Sequence, residues 1–399
     1  MWIERDISNL IRQSVDEAVQ IIIGPRQCGK SSLLWHLGAD FSEVTFDDLQ
    51  ARTLAEKDPK LFLSQYQLPL IIDEVQYAPN IFPEIKLKVD QAKRARLKSD
   101  TEQPFPILFR LTGSNQILMD KNVKESLVGR AGFYYLNTLS VAEITAKNPD
   151  IPIWDILFKG GWPELYVSSI STTKYLNDYI RNYIEKDIVL SAGISKQKEF
   201  NTVLKLLAAR TAELLVYSDI AKDSGVKSIT VKEWVSLLER SNLVYLLQPF
   251  ANNLNKRLIK SPKLHFLDSG LTCRLQGWTE QIPMSTSPQI GHLFESLVLA
   301  EIIKTKQNYH CDWSVYHWRT KEGEEIDFVI QNTKGELLAL DAKLGVHGVQ
   351  PQNLPPSFSK HHPEIKTFYL ISAGGEQKQL SNDCQQVPIT KLKELLLTV

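Results

Sequence analysis

The residues with the clearest chemical potential lie in a short loop near the start of the chain. Gly24, Gly29, Lys30 and Ser31 match the spacing G-x-x-x-x-G-K-[ST]. In such a loop the glycines allow tight turns, so that backbone amides converge on a phosphate. The lysine contacts the terminal phosphates and the hydroxyl binds Mg²⁺. We therefore predict a site for ATP and Mg²⁺ formed by Gly24, Pro25, Arg26, Gln27, Cys28, Gly29, Lys30, Ser31 and Ser32.

Two carboxylates complete this predicted site. Leu70-Ile-Ile-Asp-Glu reads as a buried strand that ends in Asp73 and Glu74. We expect Asp73 to hold Mg²⁺, directly or through water, and Glu74 to polarise the attacking water. Ser114 follows the next apolar strand, where a polar side chain would sense the γ-phosphate. Arg130 is a candidate for neutralising developing charge, in cis or on a neighbouring subunit; the alternative is a structural ion pair.

A second set of charged residues lies near the C-terminus. Glu295 is on a predicted helix, while Asp327 and Asp341 are on the two strands of a predicted hairpin. Asp341 and Lys343 are two residues apart and therefore face the same side of their strand. The carboxylates, with Glu295 in support, would bind Mg²⁺, and Lys343 would orient or deprotonate a metal-bound water for attack on a phosphodiester. PD-(D/E)xK nucleases use this arrangement of carboxylates and lysine. The alternative is a solvated acidic hairpin with no metal site.

The elements that position these residues divide the chain into four parts. Alternating apolar strands and helices predict an α/β fold with a doubly wound P-loop ATPase domain over 1–140. A helical region covers 141–210, a winged helix 211–281 and a PD-(D/E)xK nuclease-like α/β domain 282–399. The winged helix would contact DNA or act as a protein-interaction or oligomer module. Its basic residues are Lys256, Arg257, Lys260 and Lys263.

Bulk composition limits the function classes. The chain has 399 residues, with 46 Lys plus Arg and 46 Asp plus Glu. This balance argues against a wholly basic nucleic-acid coat protein, although it permits a local basic patch. Its four cysteines are far apart and have no zinc-like spacing, which favours a reducing compartment. No apolar run approaches the ~20 residues that span a bilayer, so we expect a cytoplasmic protein without membrane contact.

Several ordered blocks resemble a bacterial and archaeal family of AAA+-type ATPases with an uncharacterised C-terminal domain. The resemblance implies ATP binding and hydrolysis at Lys30, Ser31, Asp73, Glu74 and Ser114. It also implies a winged helix, a restriction-endonuclease-like C-terminal fold and a nuclease triad of Asp327, Asp341 and Lys343. The family usually has Val at Cys28, Thr-Thr at Ser31-Ser32 and Glu at Asp341. The blocks are Gly24–Ser32, Ile71–Gln76, Leu111–Ser114, Glu125–Arg130, Gly160–Glu164, Lys256–Lys263, Leu267–Leu271 and Phe294–Val298.

Three functions are compatible with these residues. The first is an ATPase that acts on DNA, with the ATP state controlling a C-terminal nuclease. The second is a nucleotide-dependent switch or scaffold, which captures a protein partner or forms homo-oligomers without cleavage. A small-molecule kinase fits less well, because the pair Asp73-Glu74 suits activation of water.

Overall fold

The computed structural model describes residues 2–14, 17–99, 105–113, 127, 129–189, 193–251 and 261–399. The chain folds as two compact units. The N-terminal unit comprises Glu4–Thr138 and Gln307–Tyr309. The C-terminal unit comprises Met1–Ile3, Leu139–Lys306 and His310–Val399. The four-part division at 140, 210 and 281 stays a prediction.

A five-stranded parallel sheet forms the centre of the N-terminal unit. Its strands are β1 (Val19–Ile23), β2 (Ser42–Thr45), β3 (Leu70–Asp73), β4 (Phe109–Gly113) and β5 (Ala131–Tyr135). They lie in the order β2-β3-β4-β1-β5. Every residue of β1 is buried, as expected for a β-branched strand covered on both faces. Because the strands are parallel, their carboxyl ends meet at one edge, which is where ligands bind in such sheets.

Helices in this unit pack on the sheet and share its apolar core. Phe46, Phe62, Ile85 and Leu127 are almost fully buried together with the strand residues. The first helix after β1 begins at Lys30, so the predicted loop lies between a strand and a helix N-terminus. The helices are Ile7–Gln13, Lys30–Leu37, Leu49–Lys57, Pro59–Ser64 and Phe82–Ser99, with 3₁₀ turns at Val75–Tyr77 and Pro79–Ile81.

The first part of the C-terminal unit consists of helices. Ser140 caps the first of these helices: its hydroxyl accepts a hydrogen bond from Glu143 N, and the Glu143 carboxylate accepts one from Ser140 N. The helices are Val141–Lys147, Ile153–Lys159, Glu164–Val167, Thr172–Tyr179 and Gln197–Ala209, and Ile180–Ile188 forms a π-helix.

Two helices and a small sheet follow. The helices Tyr217–Ser224 and Ser228–Arg240 are separated by Gly225, which has a left-handed backbone conformation with φ 71°. The antiparallel sheet has the order β6-β8-β7. The helix pair is therefore followed by two paired strands, β7 and β8, and the winged helix stays a prediction. The strands are β6 (Glu213–Leu214), β7 (Val244–Leu247) and β8 (Lys263–Phe266).

The structure corrects one expectation about the basic segment. Lys263, grouped with the exposed basic residues of a wing, is the first residue of β8 and only 3% exposed. It cannot offer its ammonium group to DNA in this position, because that group is surrounded by carboxylates of the same unit. Lys256, Arg257 and Lys260 lie outside the described residues.

A six-stranded mixed sheet completes the C-terminal unit. Its order is β13-β14-β12-β11-β10-β9, and the predicted hairpin is the antiparallel pair β10–β11. The helix Ile290–Asn308 belongs to the same core through Phe294, Val298 and Ile302. Short helices cover Pro356–His361 and Leu392–Leu396. The strands are β9 (Trp313–Arg319), β10 (Glu325–Asn332), β11 (Leu337–Lys343), β12 (Phe368–Ser372), β13 (Lys378–Ser381) and β14 (Cys384–Pro388).

Two of the sequence blocks that carry the family resemblance meet in a close backbone contact. Buried Asp268 accepts hydrogen bonds from Gly161 N and Leu271 N, both at 2.9 Å. A Cβ on Gly270 would lie 2.3 Å from the carbonyl oxygen of Lys159. This approach of backbone to backbone requires glycine at position 270, so these blocks have a structural role.

Within the described ranges, none of the helices is both long and apolar enough to cross a membrane.

Candidate functional site

The loop after β1 has the geometry of an anion-binding turn. Gln27 and Gly29 adopt positive φ angles of 62° and 96°. Left-handed residues of this kind occur in turns whose successive backbone amides bind an anion. A Cβ on Gly24 would lie 2.1 Å from the carbonyl oxygen of Leu136. Lys30 is buried, and its ammonium group donates to the carbonyl oxygens of Gly24 at 3.2 Å and Pro25 at 2.8 Å. The Lys30 side chain is therefore held over the loop by two of the loop's own carbonyl groups.

The acidic pair at the end of β3 lies beside this loop. Ser31 Oγ donates to Asp73 Oδ2 at 2.8 Å, which joins the loop to the strand. Thr112, on the neighbouring strand β4, donates to Asp73 Oδ1 and accepts from Glu74 N. Glu74 has a left-handed backbone conformation with φ 53°, and its carboxylate accepts a hydrogen bond from Gln76. The strand end thus turns sharply and holds two carboxylates in different environments.

Sequence reasoning missed Thr112 and Asp47. Thr112 is a fully buried polar residue near the carboxyl end of β4, next to the strand that ends in the acidic pair, and that position was the available signal. Asp47 follows β2; burial and the negative charges of Glu74 and Asp73 raise its pKa above the ordinary value. The position of Asp47 could also have been predicted from the sequence, because the carboxyl end of β2 meets the same sheet edge as that of β3.

The remaining predicted residues of this unit have mixed outcomes. Arg26 donates to the Tyr77 hydroxyl at 2.9 Å. Arg130 forms a two-point ion pair with Asp90, at 2.7 and 3.1 Å, so the structural alternative for Arg130 is present in this conformation. Its role toward phosphate stays a prediction. Cys28 is buried and burial raises its pKa, as suits a filler residue. Ser114 lies outside the described residues.

The donor set of this loop fits Mg²⁺ and a phosphate chain. Mg²⁺ prefers oxygen ligands, and Ser31 Oγ and the Asp73 carboxylate supply them 2.8 Å apart. A helix N-terminus beginning at Lys30 adds partial positive charge that favours an anion. Lys30 supplies a full charge. The residues present therefore match the chemistry of both expected ligands.

In the C-terminal unit, the hairpin brings its two aspartates together as predicted. Asp341 Oδ1 accepts a hydrogen bond from Asp327 N at 2.9 Å, and Asp327 Oδ2 accepts one from Ala342 N at 2.9 Å. Lys343 lies on the same side as Asp341, with Nζ 3.0 Å from Oδ2. The two aspartates and Lys343 therefore form one compact group on β10 and β11.

Glu295 is near this group, but its direct partner is a lysine that sequence reasoning placed elsewhere. Lys263 Nζ lies 2.9 Å from Glu295 Oε1 and 3.7 Å from Asp327 Oδ1, and it also contacts Glu325. The side chain of Lys263 is 4% exposed. We call Lys263, Glu295, Glu325 and Asp327 the lysine–carboxylate cluster. A buried ammonium group of this kind is stable only because several carboxylates surround it.

Burial and mutual charge shift the protonation equilibria here. Burial and the charge of Asp327 raise the pKa of Glu295 to about 8 and that of Asp341 to about 7. Burial alone would lower the pKa of Lys263, but the surrounding carboxylates raise it above its ordinary value. Burial alone would likewise lower the pKa of Lys343, but the charges of Asp341 and Asp327 raise it above its ordinary value. Both lysines are therefore charged near neutral pH.

In the part of the chain that the structure describes, no three His, Cys, Asp or Glu side chains are arranged to hold a metal ion. The metal roles of Glu295, Asp327 and Asp341 stay predictions. In the lysine–carboxylate cluster, the position among the carboxylates is taken by an ammonium group.

Comparison with protein families bears on the nucleotide site. Residues 16–145 match the model described as an AAA domain. Over these residues the chain is similar to AAA domains. The match contains the loop, the strand pair β3–β4 and the acidic pair, and it supports ATP binding and hydrolysis at a general level. Residues 152–282 and 290–392 match two domains of unknown function, DUF8612 and DUF4143.

Two curated relatives cover most of the chain. Uncharacterized proteins of Mycobacterium tuberculosis and Mycobacterium bovis are each 27% identical to it over 338 residues. The alignment covers 83% of this chain and 72% of each relative. The similarity therefore extends well beyond the AAA domain.

Solved structures are more distant. A Walker-type ATPase of Pyrococcus abyssi has a TM-score of 0.38 at 14% identity, covering 69% of this chain and 96% of that one. The ORC2 protein of Aeropyrum pernix has a TM-score of 0.35 at 14% identity, covering 69% and 91%.

Proposed function

We propose that the AAA domain binds ATP with Mg²⁺ and hydrolyses it to ADP and phosphate. The main support for this proposal is the hydrogen bond of 2.8 Å that Ser31 Oγ donates to Asp73 Oδ2. It places the hydroxyl of the phosphate loop against the carboxylate of β3, as a shared metal ion requires. The loop, the acidic pair and Thr112 thus act as one site.

Each residue has a separate task in this proposal. Lys30 exchanges its bonds to the loop carbonyls for bonds to phosphate oxygens, so it needs little rearrangement. Ser31 and Asp73 hold Mg²⁺, which when bound neutralises phosphate charge. Glu74, oriented by Gln76, accepts the proton of the attacking water. Thr112 fixes the carboxylate of Asp73 and the backbone of Glu74.

Removal of the metal tests this proposal directly. We expect the purified protein to release phosphate from ATP in the presence of Mg²⁺. Excess EDTA should lower that rate to background, because both oxygen donors then lack their cation. Re-addition of Mg²⁺ should restore it. A rate that EDTA leaves unchanged, or phosphate release no faster than from ATP alone, would contradict Mg²⁺-dependent hydrolysis.

The C-terminal unit supports a second candidate function, attack on a phosphodiester. The proximity of Asp327, Asp341 and Lys343 favours a PD-(D/E)xK-like site, in which the carboxylates bind a metal and the lysine orients water. The helix pair Tyr217–Ser224 and Ser228–Arg240, followed by a hairpin-like sheet, is compatible with a winged helix that binds DNA. ATP state would then control the C-terminal site.

Cleavage assays decide between this function and a switch. Linear and nicked DNA should be cut slowly with Mn²⁺ or Mg²⁺, with or without ATP, and Lys343→Ala should reduce cutting at least about tenfold. Equal cutting by wild type and variant would show that the activity lies elsewhere.

If neither DNA is cut, the switch or scaffold is favoured. That function predicts a change of oligomeric mass, or capture of a protein partner, with a non-hydrolysable ATP analogue. An unchanged mass, measured by light scattering with and without the analogue, would count against ATP-dependent oligomerisation.

A further inference from the structure

The helix Phe82–Ser99 concentrates positive charge in a chain whose formal net charge is zero. One side of the helix packs into the apolar core of the N-terminal unit, where Ile85 and Val89 are fully buried. The helix is therefore fixed against the rest of the unit, and its charged side chains lie on the remaining surface. Between positions 86 and 98 it has one acidic residue, Asp90, and the basic residues Lys86, Lys88, Lys93, Arg94, Arg96 and Lys98.

The single carboxylate in this stretch does not neutralise the helix. Asp90 accepts two hydrogen bonds from Arg130, at 2.7 and 3.1 Å, and Arg130 lies directly before β5 on another part of the chain. This ion pair lowers the pKa of the Asp90 carboxyl below its ordinary value, and the charges of Lys86 and Arg94 add to the effect. Asp90 is thus paired with a cation from outside the helix, so the helix keeps an excess of positive charge.

Three of the basic residues lie along one ridge of the helix. Lys86, Asp90, Arg94 and Lys98 are successive positions four residues apart, and side chains with that spacing form a ridge on a helix surface. Lys86, Arg94 and Lys98 are exposed, and none of them forms an ion pair with another residue that the structure describes. We call these three residues the basic ridge. At about 1.5 Å per residue, the basic ridge is about 18 Å long.

A line of exposed cations suits a partner whose negative charges also repeat along a line. Duplex DNA carries one negative charge per about 1.7 Å of its axis, and cations that neutralise its phosphates release bound counterions. A lipid surface fits less well. Among the described residues, the large apolar side chains that this helix exposes are Leu87 and Leu97, and each has a cation on both sides in the sequence. They therefore form no apolar stripe of the kind that enters a lipid surface.

We propose that the basic ridge binds the phosphate backbone of duplex DNA without reading its base sequence. Contacts to phosphates position a protein on DNA, whereas contacts to base edges specify sequence. The surface belongs to the N-terminal unit and is separate from the predicted winged helix. It follows Glu74 in the chain by way of the two 3₁₀ turns, Val75–Tyr77 and Pro79–Ile81, so DNA would bind on the unit that holds the nucleotide site. The proposal depends neither on DNA cleavage nor on ATP hydrolysis.

A triple variant, Lys86→Gln with Arg94→Gln and Lys98→Gln, tests the proposal. Binding of a labelled linear duplex of mixed sequence is measured by fluorescence anisotropy over a range of salt concentrations, with EDTA and without nucleotide. We expect the affinity at low salt to fall at least about tenfold. The slope of log affinity against log salt should become shallower by about 2 to 3, because each phosphate contact contributes about 0.9.

A second triple variant removes the same number of charges elsewhere. Lys147→Gln with Lys174→Gln and Lys205→Gln changes three exposed lysines on helices of the C-terminal unit. If the basic ridge binds DNA, this control should match wild type in salt slope and, within about twofold, in affinity. All the substituted side chains are exposed, so the melting temperature of both variants should stay close to that of wild type.

A measurement on the wild-type chain covers the case in which the first variant fails to fold. An amine-reactive acetylating reagent, with detection by mass spectrometry, should modify Lys86 and Lys98 readily in the free protein because both are exposed. Saturating DNA at low salt should lower their modification at least about threefold, since phosphates would cover the amines. Lys147 is the internal reference and should not change.

Equal affinity and equal salt slope in wild type and the first variant would overturn the proposal, as would constant labelling of Lys86 and Lys98 at saturating DNA. Binding to anionic vesicles or to polyglutamate, with none to DNA, would overturn it as well. Failure of the proposed functions looks different. If the protein binds DNA through the basic ridge but does not cut it, only the nuclease is lost, and if it releases no phosphate from ATP, only the ATPase is lost.

Discussion

Lys30→Ala is expected to lower the rate of ATP hydrolysis about 100-fold or more, because it removes the positive charge that the structure holds against the carbonyl oxygens of the phosphate loop. The ammonium group contacts both Gly24 O and Pro25 O, so it already lies at the mouth of the turn where the phosphates would bind. ATP affinity should fall together with turnover. Phosphate release and equilibrium binding of a fluorescent ATP analogue measure the two effects.

Two further variants separate charge from packing. Lys30 is buried, so its removal leaves a gap as well as a lost charge. Lys30→Met fills most of that gap and should lose activity as severely as alanine. Lys60→Ala, at an exposed lysine of the helix Pro59–Ser64, should hydrolyse ATP at the wild-type rate. If Lys30→Ala retains the wild-type rate, the nucleotide site has been assigned to the wrong residues.

Glu74→Gln is expected to lower turnover about 10²- to 10⁴-fold while ATP binding stays within about twofold of wild type. Glutamine has nearly the same shape, but it cannot accept a proton from water. The left-handed backbone at position 74 and the hydrogen bond to Gln76 fix where this side chain points. The separation of binding from turnover distinguishes Glu74 from Lys30, whose loss affects both.

An exposed glutamate provides the control for this substitution. Glu43 lies on β2 of the same sheet, so Glu43→Gln removes an equal charge from the unit without touching the site. Its turnover should match wild type. A Glu74→Gln protein that hydrolyses ATP normally would exclude Glu74 as the base and leave Asp47, which also lies close to the pair, as the next candidate.

The phosphate loop could be predicted because its signal is local. Gly24, Gly29 and Lys30 have fixed spacing, and β1 is a continuous run of buried, mostly β-branched residues. The hairpin of Asp327 and Asp341 was predictable for the same reason, since a short turn sets the register of two adjacent strands. In both cases the residues that cooperate are neighbours in sequence or in a simple ladder.

Long-range partners could not be predicted in this way. Thr112 reaches Asp73 only because β4 lies next to β3, an order that the sequence does not specify. Lys263 looked like one basic residue among several, and its local composition indicated a solvent-exposed wing. Its burial depends on carboxylates that are 32, 62 and 64 residues away in the chain, on elements whose packing is a tertiary property.

The shared core of the C-terminal unit has a consequence for dissecting the protein. One apolar cluster includes Ile144 and Leu157 from the early helices, Phe294 and Ile302 from the helix Ile290–Asn308, and Leu340 from β11. The region that matches DUF4143 begins at residue 290 and therefore contains only part of that cluster. A fragment that starts at residue 290 would expose part of this apolar cluster to water, whereas one that starts at Leu139 keeps every buried member except Ile3. Chimeras made with relatives should therefore have no junction within this apolar cluster.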